Sequence, residues 1–448
     1  MTYTHAYNTE QELSADVIVA GGGTAGTIAA IAAARAGMRT IVVERQNCLG
    51  GTTTSGLIIQ FGGGGYPYMT GILKEIVDEL ICNNQATFLE EDDVNIPFDP
   101  EALKELLLKK ALESGVQVLF YTQISDVLMD GSTIEGLVVN TKSGRYELRA
   151  HVVIDATGDG DVAHMAGAPC LTLNNGGILG ARVAGIDYEA LLAYMREHPD
   201  QICENDLDKP LIRFIGFFDL VEEGFRKGYL EPDMMKIPEF LLSIEGTTEG
   251  VRRYLRVDGA FPEKGTAMIG YGAAIRWDIN DPFSYAQAES DARRKNRALL
   301  KFLRKCVPGF KDAYIVHTAS NLAIWASRRV TGDYTLTSED IHTNRHFEDV
   351  VVKAHANLDH RTLHIKVMEF DIPFRAMLPA GVENLMVAGR NISTSPEARI
   401  PGINIPICMQ MGEVAGIAAT LALNSGCTVR QLKVDTLQEA LREAGVLR

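Results

Sequence analysis

No C-x-x-C pair occurs in this chain. Its cysteines stand singly, at Cys48, Cys82, Cys170, Cys203, Cys306, Cys408 and Cys427, and their number is odd. A disulfide framework is therefore not expected, and the pattern suits reduced thiols in a cytoplasmic setting. Basic charge is also short: 43 Lys and Arg against 58 Asp and Glu leave a net charge of −15. Such a surface repels a phosphate backbone. That excludes nucleic acid as a general partner while leaving room for a local basic pocket. Long apolar runs are missing. The stretch around Thr27–Ala34 is broken by Arg35 and Arg39 and is too short for a bilayer, so no membrane span is expected. The opening MTYTHAYNTEQELSAD has no apolar core, and no signal peptide is expected. There is no internal repeat and no low-complexity linker. His360 and His364 share a metal-like spacing, but no acid or thiol stands at a zinc-like distance from them, and no metal is expected.

What the chain does have is glycine, 42 residues of it, much of it in clusters. Such clusters mark places where the backbone turns tightly or comes close to a ligand. The 448 residues, 46% hydrophobic and 23% charged, suit an ordinary globular protein of two or three domains. Asp16–Ala20 (DVIVA) reads as a buried strand, GGGTAG as a turn, TIAAIAAARAG as a helix ended by Gly37, and RTIVVE as a second strand. This is a strand–turn–helix–strand unit with parallel strands. Helical spacing follows over Tyr68–Cys82. Asp99 and Pro100 then open the helix DPEALKELLLKKALESG as cap and first-turn residue. After the strand VQVLFYT, turns are expected at Asp130–Gly131 and Ser143–Gly144. HVVIDATGDGDVA returns to strand, glycine turn and helix. From about Ile186 to Ser338 the character changes, mixing a helix over Pro282–Cys306 with extended runs such as TAMIGYGAAIRW. The last third runs from the strand NLMVAGRN through a proline-punctuated stretch into the helix ICMQMGEVAGIAATLAL. Similar motifs at both ends predict an α/β fold. Its discontinuous Rossmann-like domain takes residues 1–185 and 346–448, and a β-rich α+β substrate domain is inserted at 186–345.

Three motifs carry chemistry. Gly21, Gly23 and Gly26 fit G-x-G-x-x-G between a strand and a helix. The first glycine permits the turn, the second lets a pyrophosphate approach, and the third lets the helix pack closely. The helix N-terminus offers unpaired N–H groups to phosphate. Glu44 ends the next strand, 18 residues after Gly26, where an acid binds ribose hydroxyls. Second, Ala156-Thr157-Gly158 follows the strand HVVID, a further close approach of backbone to a cofactor; a tight turn is the plain alternative. Third, the strand in LMVAGR ends at Gly389. A helix begins near Asn404 or Ile405 with Pro406 in its first turn, and that N-terminus favours negative charge.

Together GGGTAG with Glu44, LGGTTTSG, ATGDGD, SRRVTGDYTLTSED at 327–340, IPFRAMLP at 372–379 and VAGR…CMQMGEVAG resemble the FAD-dependent oxidoreductase family of glutathione-reductase-like flavoproteins. The resemblance runs over almost the whole chain in the same order, and it implies FAD as the cofactor. Carried over by position, Gly21, Gly23, Thr24, Ala25 and Gly26 hold the pyrophosphate, Glu44 the adenosine ribose, and Arg45 flanks the adenine. Gly50, Gly51, Thr52 and Thr53 line the diphosphate and ribityl chain, with Ile124 at the adenine. Ala156, Thr157, Gly158 and Asp161 join the cofactor contacts. Gly389, Arg390 and the turn of Gly402, Ile403, Asn404 and Ile405 reach toward the flavin ring. The sequence departs from the family pattern between Ser393 and Met409. Pro396 stands where many relatives carry histidine and Ile403 where they carry arginine, while Arg399 comes four residues earlier. This points to a substrate of different polarity or to a relocated cation.

The resemblance implies hydride transfer between FAD and a small polar organic substrate bearing a hydroxyl, an amine or a carboxylate. The candidate base is His317, with His364 as another. Arg375, Arg399, Arg328 and Arg329 are candidates to bind a carboxylate, and Tyr334 to donate a proton. Salt bridges and interface packing are the plain alternatives for these side chains. The run FGGGG at 61–65 reads either as a loop beside the flavin or as a surface loop. Two other functions remain open. One is reduction of an activated C=C bond, with Arg399 or Arg375 as proton donor. The other is a flavin with a structural, sensory or non-redox role. The electron acceptor is open, a homo-oligomer is compatible with the sequence, and Cys48 reads as a buried thiol or a covalent flavin link.

Overall fold

The computed structural model describes residues 11–448 apart from 63–64, 87–94, 174–175, 199–222, 224–225, 229–243, 248–249, 254–256, 262–264, 274–276, 279, 358–366 and 399–403. The main sheet is built on Gln11–Ala20, flanked by Thr40–Val43 and Gly144–Asp155, all parallel. Val17, Ile18, Val19 and Ala20 are fully buried, as strands of a parallel sheet covered on both faces must be. Gln117–Leu119 extends one edge in parallel. At the other edge Thr133–Thr141 and Gln123–Asp130 continue antiparallel, through the expected turns at Gly131 and Gly144.

Gly144–Asp155 is long enough to serve two partners. Its first half pairs with Thr133–Thr141, and Val153–Asp155 pair in parallel with Leu385–Val387 from the last third of the chain. Both ends of the chain thus complete one sheet. Register puts Ala20, Val43, Asp155 and Val387 level with one another. The segments that follow them, beginning at Gly21, Glu44, Ala156 and Ala388, therefore emerge at one carboxyl edge, where open α/β sheets bind ligands.

Helices Thr24–Arg35 and Ile405–Ser425 pack against each other, and small residues let them do so. A side chain at Gly412 would overlap the carbonyl of Ala25, and one at Gly416 would come within 2.5 Å of that of Ala29. The longest apolar segment among the described residues is thus Ile405–Ser425 rather than Thr27–Ala34. It is long and apolar enough to cross a membrane by length and composition, but most of it is buried inside the protein.

A second, antiparallel sheet is centred on Gly177–Ala184, with Thr266–Ala273 and Val257–Phe261 on one side and Tyr314–Thr318 and Ala323–Ile324 on the other. Its core gathers Ala181, Val183, Ile269, Phe302, Leu303 and Phe310. The helix Pro282–Cys306 spans the range read from sequence, with Asp281 capping it by accepting from the Phe283 and Ser284 amides. Ala288 and Ala292 join the main core, while Leu299, Phe302 and Leu303 join the second. Helix Gly71–Cys82 starts three residues later than its spacing suggested, because Tyr66–Tyr68 form a separate 3-10 turn.

Candidate FAD site

The first turn has the geometry its glycines imply. Gly21 takes φ +93°, and a side chain there would meet Ala156 O at 2.8 Å. A side chain at Gly26 would overlap Gly21 O, whereas at Gly23 the nearest atom is Ala156 O, 3.8 Å away, which leaves a face open. The 50–51 loop is strapped onto this turn. Gly50 N donates to Gly22 O at 2.8 Å, and Thr24 Oγ1 donates to Gly50 O at 3.0 Å. Thr53 is buried and donates its hydroxyl to Gly50 O, so it closes the loop. Thr52 is half-buried and Arg45 exposed; Ile124 is half-buried in the strand opposite Val139.

Glu44 is buried. Its carboxylate accepts from Gly22 N at 2.9 Å and from Gln46 N at 2.8 Å, and burial pushes its pKa up. It therefore fixes the glycine turn from below.

The motif reading passed over Asp155, the aspartate of VVIDATG. It is fully buried, and desolvation pushes its pKa up to about 6. One oxygen accepts from Thr157 N (3.0 Å), Thr157 Oγ1 (2.7 Å) and Asn391 Nδ2 (3.2 Å), and the other from Ala163 N (2.9 Å). This one carboxyl joins the ATGDGD turn to the loop after Gly389. The Asp159 carboxylate takes Ser327 Oγ (2.6 Å) and Arg390 Nη2 (3.3 Å). Arg328 donates to Asp159 O (3.2 Å) and pairs with Asp161, whose pKa burial raises. Arg328, a candidate for substrate, thus braces the ATGDGD turn.

The helix Ile405–Ser425 starts as predicted. Asn404 caps it, accepting from Ile407 N at 3.0 Å, with proline in the first turn. Asn404 Nδ2 donates to His355 O at 3.3 Å. The His355 ring stacks on Tyr68 at 3.9 Å, and its Nε2 stands 3.1 Å from Glu369 Oε2. His355 thus touches the cap of this helix through its backbone carbonyl. Arg399, Gly402 and Ile403 lie outside the described residues, as do His360, His364, Gly63 and Gly64.

Among the described residues the substrate candidates lie in separate places, and only Tyr334 and Arg375 come together. Tyr334 donates to Asp340 Oδ2 at 2.8 Å, and Arg375 grips Asp349 through two bonds of 2.9 and 3.0 Å while lying over the Tyr334 ring. Both bond to carboxylates in one cluster, Tyr334 through a hydrogen bond and Arg375 through an ion pair. His317 stands apart on the second sheet, opposite Arg182, and burial and that cation lower its pKa. Cys48 is half-buried, 3.9 Å from the Thr54 hydroxyl, and burial raises its pKa, which disfavours the thiolate that covalent attachment needs. No signal within the sequence could show that Asp349 meets Arg375, because that pairing is made by the fold.

The residues present fit FAD. The glycine turns leave an open face, and Arg390 Nη1 and Asn391 Oδ1 beside it are buried polar atoms with no partner among the described residues. Gly158, at φ +79°, lets Arg390 lie across the turn: a side chain there would meet Nη2 at 2.7 Å.

Comparison with known proteins agrees. Thiamine thiazole synthase of Aeropyrum pernix is 35% identical over 165 residues, covering 33% of this chain and 56% of that protein. Digeranylgeranylglycerophospholipid reductase 2 of Methanopyrus kandleri is 29% identical over 150 residues, 32% of this chain and 37% of that one. The chain therefore spans about half or less of these two relatives. The crystal structure of a geranylgeranyl bacteriochlorophyll reductase-like protein from Thermoplasma acidophilum has the same fold, with a TM-score of 0.51 at 14% identity over 97% of this chain and 85% of that one. The family profile described as FAD dependent oxidoreductase matches residues 16–441, and the chain belongs to that family, an FAD-dependent oxidoreductase by fold and cofactor.

Proposed function

We propose that this enzyme oxidises a small polar organic molecule at a C–H bearing a hydroxyl or amine, with a carboxylate nearby. FAD supplies the hydride-accepting chemistry. The supporting observation is a pair on the second sheet. Arg182 and His317 are directly opposite on neighbouring strands, so their side chains share one face. Both are half-buried. The strand that carries Arg182 lies on the cofactor loop. A side chain at Gly180 would press on Leu57 Cβ at 3.0 Å, and Ser320 N donates to Ser55 O at 2.9 Å.

In this reading Arg182 binds the carboxylate, and His317 takes the proton from the hydroxyl or amine. The lowered pKa of His317 leaves it neutral near pH 7, as a base must be. Anaerobic mixing with a panel of hydroxy acids, amines and sugars should bleach the flavin absorbance. Arg182→Ala should raise KM for acids and not for uncharged donors. If no donor bleaches the flavin but enoates reoxidise the chemically reduced enzyme, the direction is C=C reduction. If neither happens, the flavin has a structural or sensory role.

A further inference from the structure

The helix Pro282–Cys306 belongs to the second core for most of its length, yet its first turns lie at the cofactor turn. A short chain of hydrogen bonds puts them there. Asn280 Nδ2 donates to Leu173 O at 2.9 Å, Leu173 N donates to Ser327 O at 2.6 Å, and Ser327 Oγ donates to Asp159 Oδ1 at 2.6 Å. The next turn opens at Asp281, and Tyr285 N donates to Asp281 O at 3.2 Å. Tyr285, Ala288 and Ala292 recur at helical spacing on one face. Ala288 and Ala292 are buried in the main core, and Tyr285 packs against that core half-buried.

The phenol has no hydrogen-bond partner among the described residues. Arg45, Asp159 and Arg390 all lie within its electrostatic reach, together with Glu289. Arg45 follows the ribose-side Glu44, and Asp159 and Arg390 frame the glycine turn. A half-buried aromatic ring bordering that space, anchored by its helix on one side, keeps a flat face free to meet a ligand.

We infer that Tyr285 forms a wall of the FAD site at its adenosine diphosphate half, so that the inserted region closes over the cofactor from a helix outside the dinucleotide fold. This rests on FAD being the cofactor, and its test separates the two. Wild-type protein freed of flavin is titrated with FAD and, separately, with ADP, which lacks the flavin. Tyr285→Leu should weaken both by the same factor, about tenfold, the scale of one lost aromatic stack on a base. Unchanged affinity for both, or loss for FAD with ADP unaffected, would overturn the inference while leaving FAD as the cofactor. Failure of the wild type to bind FAD at all would overturn the cofactor assignment first. If Tyr285→Leu does not fold, wild-type hydrogen exchange decides the matter. ADP should slow exchange over 281–288 and leave the helix Val434–Glu443 unchanged. No added protection over 281–288 refutes the contact.

Discussion

Glu413 lies in the largely buried helix Ile405–Ser425 and offers a measurable test of how this fold handles charge. Its side chain is 5% exposed, and its Oε2 accepts from Ile72 N at 2.8 Å. It therefore caps the start of helix Gly71–Cys82 from a helix more than three hundred residues away in sequence. Gly71 is required there: any side chain would run into the Glu413 carboxyl. Desolvation outweighs the hydrogen bond and raises the Glu413 pKa from 4.5 to about 7. A carboxyl raised on folding binds its proton more tightly in the native state. Its contribution is most favourable below pH 4.5 and is lost as pH rises toward 7. The difference of about 2.5 pH units, at 1.36 kcal/mol each, makes the loss roughly 3 kcal/mol by pH 8. Glu413→Gln keeps the acceptor for Ile72 and removes the ionisation. Urea unfolding of the two proteins should give similar stability at pH 5, with the variant roughly 2–3 kcal/mol more stable at pH 8. Parallel pH profiles, or a variant less stable at pH 8, would show that Glu413 is charged and well paired in the native protein, and the reasoning would fail.

The dinucleotide-binding unit was legible because its signals are local. A strand, a glycine turn, a helix and an acid at the end of the next strand all fall within Asp16–Glu44, and each is fixed by residues a few positions apart. The helix Pro100–Glu113 was legible for the same reason, since Asp99 caps it and Pro100 suits a first turn. What could not be read is what the fold brings together from afar. The strand Gly144–Asp155 shows no sign in its residues that it will take Leu385–Val387 as a partner. Arg375 and Tyr334 look like free polar groups until Asp349 and Asp340 arrive beside them. Asp155 reads as the last residue of a strand, and only the tertiary structure shows it bonded to two loops. Polar residues with long-range partners are thus the systematic blind spot. A sequence gives the type of a side chain, and its availability depends on neighbours the sequence does not order.

Two further substitutions probe the framework of the cofactor site. Gly412→Ala would force a methyl group into the Ala25 carbonyl and push the two core helices apart. The expected loss is about 1–3 kcal/mol, with weaker FAD retention on gel filtration, and a change below about 0.5 kcal/mol would mean the helices can slide to accommodate it. Asp155→Asn tests the carboxyl that ties the two cofactor loops. The carboxyl accepts four hydrogen bonds, and an amide of the same shape replaces one of its oxygens with a donor group. Whichever way the amide turns, an N–H donor then faces either Ala163 N or the Thr157 group, and a buried donor is left unmet. That costs about 1–3 kcal/mol. Part of the loss should appear as weaker FAD binding, because the Ala156–Gly158 turn and the Gly389–Asn391 loop are no longer held in register. Calorimetric FAD titration together with urea unfolding of the cofactor-free protein separates the two effects. If stability falls while FAD affinity is unchanged, Asp155 supports the sheet edge alone and does not position the cofactor loops. Weaker binding beyond the loss in stability is the expected result, because the Asn391 side chain, held by this carboxyl and by the Asp155 carbonyl, leaves a buried oxygen open beside the glycine turns.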